Sequence, residues 1–223
     1  MGQDSGPPAS QTGTDGRVPV DDRPIAAFDF DGTLTVRDSF TAFLRWRAGP
    51  FRYAVGMATL APAALRYVID RDRGRIKAAA AGAFLAGLPR RRLEALCGEF
   101  AAEQAQALFR PDALAAWREW GERGARRVIV TASPSVVVRP FADRLQADDL
   151  IGTEMAFDDQ DRVTGGFATP NCRGPQKVAR LEARFGRGVR LIAAYGDTAG
   201  DHAMLAIAET QGLRVFTQRP DPA

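Results

Sequence analysis

Cysteine, histidine and lysine are nearly missing from this 223-residue chain. Two cysteines, Cys97 and Cys172, cannot build the disulfide framework of a small secreted domain. The single His202 gives no Cys/His spacing of the kind that holds structural zinc. Lys77 and Lys177 are the only lysines among 30 basic residues, so arginine carries nearly all the positive charge. A formal net charge of +3 is too small an excess to argue for nucleic acid or a membrane surface as partner. No GxxxxGK string occurs, which excludes a nucleotide-binding P-loop. The opening MGQDSGPPAS has neither a basic n-region nor an apolar h-region, and Gly6 stands where N-myristoylation needs Ser or Thr. These absences predict a cytoplasmic protein. Long uncharged apolar runs are lacking too. The nearest, from Phe51 to Ile69, is interrupted by Arg52 and Arg66 and divided by Pro62, so it reads as a buried or interfacial helical hairpin.

What is present suits one globular domain with an insertion: 26% charged and 45% hydrophobic residues over 223 positions. Residues 1–23 are rich in Gly, Pro, Ser and Asp and carry almost nothing large to bury, so a disordered tail is expected there. Short apolar runs at Ile25 to Phe28, Arg126 to Thr131, Asp149 to Phe157, Val189 to Tyr195 and Leu213 to Phe216 read as strands. Between them lie helix-periodic stretches, among them Arg75 to Leu88, Arg90 to Ala107, Pro111 to Arg123, Ser135 to Leu145, Gln176 to Phe185 and Ala203 to Glu209. Breaks are expected at Gly49-Pro50 and Pro62, and a hairpin with an acidic turn at Phe157 to Phe167. The alternation predicts an α/β fold: a Rossmann-like, three-layer core with a mostly parallel sheet.

The most informative stretch is IAAFDFDGTLT, from Ile25 to Thr35. An apolar strand runs straight into Asp29 and Asp31, and Gly32-Thr33 then turns the chain. Alternate residues of a strand share a face, and ligands of open α/β sheets bind beyond the strands' carboxyl ends. Two carboxylates brought together there repel, unless a cation or a shared proton compensates. A solvated acidic loop is the bland alternative, and the apolar strand leading into the pair speaks against it. Further along, Thr131-Ala132-Ser133 ends the second strand, Lys177 lies in the first turn of a helix, and Gly196-Asp197 with Asp201 follows the next strand. Taken singly, Thr131 reads as a strand end and Lys177 as a solvated helix-start lysine. Lysine retained where almost every other basic residue is arginine points the other way.

DFDGTLT resembles the first motif of the haloacid dehalogenase superfamily, in its phosphatase branch. The ordered set of a DxD motif, Thr131, a Lys and GDTAGD (Gly196 to Asp201) is similar to that family's four motifs, from about residue 25 to the end of the chain. The resemblance implies a phosphomonoesterase in which Asp29 is the nucleophile and Asp31 the general acid and base. It implies Mg2+ as cofactor, with Asp29, Asp31 (through its main-chain carbonyl), Asp197 and Asp201 as the metal set. It implies that Gly32, Thr131, Ala132, Ser133 and Lys177 receive the phosphoryl group. Arg173 is the alternative to Lys177, because in phosphoserine phosphatases the Lys directly precedes a Gly, as Arg173 precedes Gly174. Four carboxylates against one lysine make a cluster that needs a divalent cation.

The stretch from Asp31 to Thr131 far exceeds a βα crossover. The division expected is a core of residues 24–37 and 124–223 and a helical cap of 38–123, as in the phosphoserine-phosphatase-like branch (subfamily IB) of that superfamily. Asp38, Arg75, Lys77 and Arg173 are the candidates for substrate specificity. The cap Arg that grips a substrate carboxylate in phosphoserine phosphatases has no counterpart in Ala78-Ala79-Ala80-Ala81-Gly82. A small organic phosphate is therefore expected as substrate, with an amphiphilic one such as a lysophospholipid left open beside phosphoserine. A non-catalytic protein on the same scaffold is the alternative of a different class. The run Arg90-Arg91-Arg92 is read as a solvated cap face rather than a nucleic-acid contact, and nothing in the sequence addresses the oligomeric state.

Overall fold

The computed structural model describes residues 22–60 and 73–221. The expected tail of residues 1–23 lies almost wholly outside these, as does the break at Pro62. Five parallel strands make the central sheet, in the order β3-β2-β1-β6-β7. They are β1 (Ile25–Phe28), β2 (Arg126–Pro134), β3 (Asp149–Thr153), β6 (Leu191–Gly196) and β7 (Ala208–Leu213). A separate antiparallel hairpin joins β4 (Met155–Phe157) to β5 (Val163–Phe167).

The sheet is buried on both faces because β1 is apolar at every position. Ala26 and Phe28 enter one core with Ile129, Ala193, Trp117 and Phe141. Ile25 and Ala27 enter the other with Val128, Val130, Leu181 and Met204. Period-2 alternation thus feeds two helical layers. On the first face pack α4 (Pro111–Glu122) and α5 (Ser135–Arg144); on the second, α6 (Pro175–Phe185) and α7 (His202–Leu205). Phe28 alone contacts Trp117 edge-on at 5.1 Å and stacks on Tyr195 at 4.6 Å.

Between β1 and β2 run α1 (Ser39–Thr59), α2 (Arg73–Leu85), α3 (Arg90–Leu108) and α4. Helix α1 is interrupted at Gly49, with φ 73° and ψ 163°, and restarts on Pro50. That is the break expected from Gly-Pro, since proline fits a helix's first position and not its interior. Phe51 and Val55 of its second half are exposed. Helix α2 packs against β5, where Gly82 and Gly165 let the two backbones approach; a Cβ on Gly165 would lie 2.6 Å from Gly82 Cα.

Three elements differ from expectation. The run from Asp149 to Phe157 is two strands, because Glu154 hands the chain from the sheet to the hairpin. Helix α7 is short, ending at Leu205 rather than Glu209. The last strand is Ala208–Leu213, not Leu213 to Phe216. It is an edge strand of mostly exposed polar residues, AETQGL, so no apolar run announces it. Of the run LRVF only Leu213 belongs to the strand, and Phe216 instead packs its ring against Tyr195 at 5.1 Å, tilted by 37°.

Candidate active site

The carboxyl ends of β1, β2 and β6 lie side by side, so the residues that follow them meet. Asp29 leaves β1 with its N–H donating to the Tyr195 carbonyl of β6 at 2.9 Å. Asp29 is 6% exposed. Lys177 Nζ donates to Asp29 Oδ1 at 2.6 Å and reaches Asp201 Oδ1 at 2.7 Å. The same ammonium donates to the Val130 carbonyl at 2.5 Å. Three partners for three protons leave a completely buried lysine fully satisfied. Helix α6 delivers it: Gly174 turns the chain at φ 60°, Pro175 opens the helix, and Lys177 occupies the first turn.

Asp197 and Asp201 are placed by the turn after β6. Asp201 Oδ2 accepts from the N–H groups of Asp197 and Thr198 at 3.2 and 3.0 Å, while the Thr198 hydroxyl caps Gly200 N–H. Oxygens of Asp29, Asp197 and Asp201 lie within 4.8 Å of one another, one from each residue. Gly32 makes room for this cluster. It has φ +83°, and a Cβ there would stand 2.1 Å from Asp197 Oδ2.

Asp31 lines the same cavity from another direction. Its Oδ1 accepts from Ser39 N–H at 2.7 Å and its Oδ2 from the Ser133 hydroxyl. Ser133 N–H in turn donates to Thr131 Oγ1 at 3.0 Å. Lys77, from α2, lies 3.2 Å from Asp38 and 3.3 Å from Ser133 Oγ. A helix from the long insertion therefore touches the residue that holds Asp31.

Burial dominates the electrostatics. It raises Asp29 to about 7, against the attraction of Lys177 and with repulsion from Asp201 and Asp31. Burial and the neighbouring Asp38 also raise Asp31, partly offset by Lys77. Asp197 is raised by burial and by Asp201. Burial works against the charged forms of Asp201 and Lys177 too, yet their mutual attraction wins. Lys177 with two backbone N–H groups holds Asp201 below the usual carboxylate range, and Asp29 with Asp201 holds Lys177 above the usual lysine range.

The cavity has a volume of about 630 Å³. Of the residues singled out in the sequence, Asp29, Asp31, Gly32, Asp38, Lys77, Ala132, Arg173, Lys177, Asp197 and Asp201 line it. Thr131 and Ser133 are wholly buried and do not line it. Arg75 is exposed and does not line it either. Arg173 packs against Gly200, whereas Lys177 touches Asp29. Sequence reasoning missed the basic wall of Arg37, Arg110, Arg214 and Arg219. One arginine among so many carries no signal of its own.

Residues 26–206 match the haloacid dehalogenase-like hydrolase family. The chain is 52% identical over 209 residues to protein CicA of Caulobacter vibrioides, covering 94% of this chain and 92% of that one. In fold it is similar to a protein of unknown function from Bordetella pertussis Tohama I, with TM-score 0.67, 24% identity, and 82% and 86% of the two chains covered. It is also similar in fold to a substrate-bound phosphoserine phosphatase, with TM-score 0.58, 17% identity, and 85% and 84% covered. No helix among the described residues is long and apolar enough to cross a membrane. With its motifs gathered at the ends of β1, β2 and β6, the chain belongs to the haloacid dehalogenase-like hydrolase family and is a hydrolase of that type.

Proposed function

We propose that this protein is a Mg2+-dependent phosphomonoesterase that works through a phosphoryl group carried on Asp29. The observation that carries this reading is the buried Lys177 bridge between Asp29 and Asp201, with Asp197 beside it and Asp31 in the same cavity. The donor set fits a hard cation: three carboxylates with oxygens within 4.8 Å and only one lysine among them. Asp29 and Asp197, with the Asp31 main-chain carbonyl, would hold Mg2+, which would offset charge on carboxylate and phosphoryl oxygens; Asp201 orients its neighbours.

In the first step a carboxylate oxygen of Asp29 forms a bond to phosphorus as the bond from phosphorus to the leaving oxygen breaks. Asp31, whose affinity for a proton is raised by burial and by Asp38, gives a proton to that oxygen. In the second step Asp31 takes a proton from water, whose oxygen attacks phosphorus and releases Asp29. Lys177 balances negative charge throughout. Ser133 and Ser39 aim the Asp31 carboxylate. Gly32 and Ala132, which line the cavity, receive the phosphoryl oxygens, and the buried Thr131 and Ser133 hold that turn in place. Helices of residues 38–123 act as a cap that excludes water, with Lys77 paired to Asp38 and reaching Ser133 of the core.

The described part of the cavity favours a polar substrate over a lysophospholipid. Its apolar side chains are only Val36, Ala132 and Phe216. Hydrolysis of p-nitrophenyl phosphate by wild type and Asp29→Asn, with Mg2+ and with EDTA, tests the reading. Turnover only in wild type with Mg2+ is expected; equal turnover by Asp29→Asn would overturn it.

A further inference from the structure

The C-terminal segment after β7 closes one side of the cavity, and it is basic. Arg214, Phe216, Thr217 and Arg219 all line the cavity. The segment is pinned in place rather than loosely laid down. Asp112, in the first turn of α4, accepts from the N–H groups of Thr217 and Gln218 at 2.7 and 2.9 Å through the same Oδ2. Arg110, just ahead of that helix, donates to the Gln218 carbonyl at 3.1 Å and to the Gly32 carbonyl at 3.2 Å. Arg110 thus ties the segment to the turn that carries Asp31. Arg214 donates to the Asp197 carbonyl at 2.6 Å.

Five guanidiniums, those of Arg37, Arg110, Arg173, Arg214 and Arg219, therefore border the site. None forms an ion pair with a carboxylate among the described residues, in contrast to Lys77 and Lys177. The lining holds seven basic and five acidic residues. A divalent cation and one phosphoryl dianion cancel each other, so the wall keeps two positive charges in excess of what a simple monoester would neutralise. Guanidinium forks bind phosphate and carboxylate in a way that ordinary hydroxylated leaving groups cannot match.

We propose that residues 214–219, with Arg37 and Arg110, form a second anion subsite, so that the preferred substrate carries a further phosphate or carboxylate beyond the ester that is cleaved. This rests on the phosphatase reading above and names the substrate class of that site.

The test compares kcat/KM in matched pairs with Mg2+: fructose 6-phosphate against fructose 1,6-bisphosphate, and glycerol 3-phosphate against 3-phosphoglycerate. The member with the additional anionic group should be favoured about tenfold or more in at least one pair, as expected for one charge-assisted contact. The pair that shows the preference identifies phosphate or carboxylate as the group taken. Arg219→Gln should lower that ratio about tenfold, and Asp112→Asn, which unpins the segment, should lower it in the same direction. Equal kcat/KM within both pairs, or a ratio untouched by both variants, would overturn the proposal. Calorimetry on Asp29→Asn reads the subsite without turnover: tighter binding of fructose 1,6-bisphosphate than of fructose 6-phosphate supports it even if hydrolysis fails, and equal binding overturns it.

Discussion

Lys177 Nζ stands 2.6 Å from Asp29 Oδ1 although 148 positions separate the two residues in the chain. Both are buried, and the ammonium also serves Asp201 and the Val130 carbonyl. One side chain thereby ties the ends of β1, β2 and β6 into a single site. Removing it would leave two carboxylates in a low-dielectric interior with no counter-charge.

Lys177→Met is accordingly expected to cost about 3 kcal/mol or more of stability in metal-free protein, the scale of a broken buried ion pair. Chemical denaturation in EDTA checks this. Lys177→Arg should not restore activity, because a fully buried site shaped around an ammonium has no room for the larger planar group.

Gly32→Ala meets two obstacles at once, a φ of +83° and an Asp197 oxygen 2.1 Å from the new Cβ. Either the turn or Asp197 must move. The expected result is a fall in p-nitrophenyl phosphate turnover of about a hundredfold or more, together with a loss of stability of about 1–3 kcal/mol. A variant with wild-type kinetics would show that Asp197 does not need its observed position.

Mg2+ should raise the melting temperature relative to EDTA, since it binds the folded carboxylate cluster and has no such site in the unfolded chain. At a hundredfold excess over Kd the gain is about 2.7 kcal/mol. Asp197→Asn should shrink the shift. Identical melting in Mg2+ and EDTA would count against the cluster as a cation site.

The metal-free protein should lose stability as pH rises from about 4 to about 7. Asp29 is raised from 3.8 to about 7 on folding, so across that window the folded state binds a proton that the unfolded state has released. Stability then falls with pH. Asp31 and Asp197 are raised and act in the same direction. Asp201 and Asp38 are lowered, and their contribution is lost only below the ordinary carboxylate range. Urea midpoints at pH 5 and pH 7 in EDTA should differ in wild type by an amount that Asp29→Asn reduces. A stability that climbs from pH 5 to pH 7 would refute the assignment.

The strand IAAF, the acids after it and the glycine of the turn were legible because each is a local matter. An apolar tetrapeptide needs burial on both faces, an aspartate cannot follow it inward without compensation, and a φ of +83° selects glycine. The parallel alternation was legible for the same reason: β1, β2 and β6 are short, apolar and bounded by turn residues. Strand β7 was not, since a polar edge strand is chosen by its hydrogen-bonding neighbour β6 rather than by burial. Nor was the chain from Lys77 through Ser133 to Asp31, nor the clamp of Asp112 on Thr217 and Gln218. Those depend on distances across the fold that periodicity does not encode. Sequence alone determined the class of fold and which residue types could do the chemistry, because backbone preference and hydrophobic pattern act over a few residues. Tertiary structure decided which cation meets which carboxylate and which arginines wall the cavity, because a charge's value depends on burial and on partners that only the folded chain brings near.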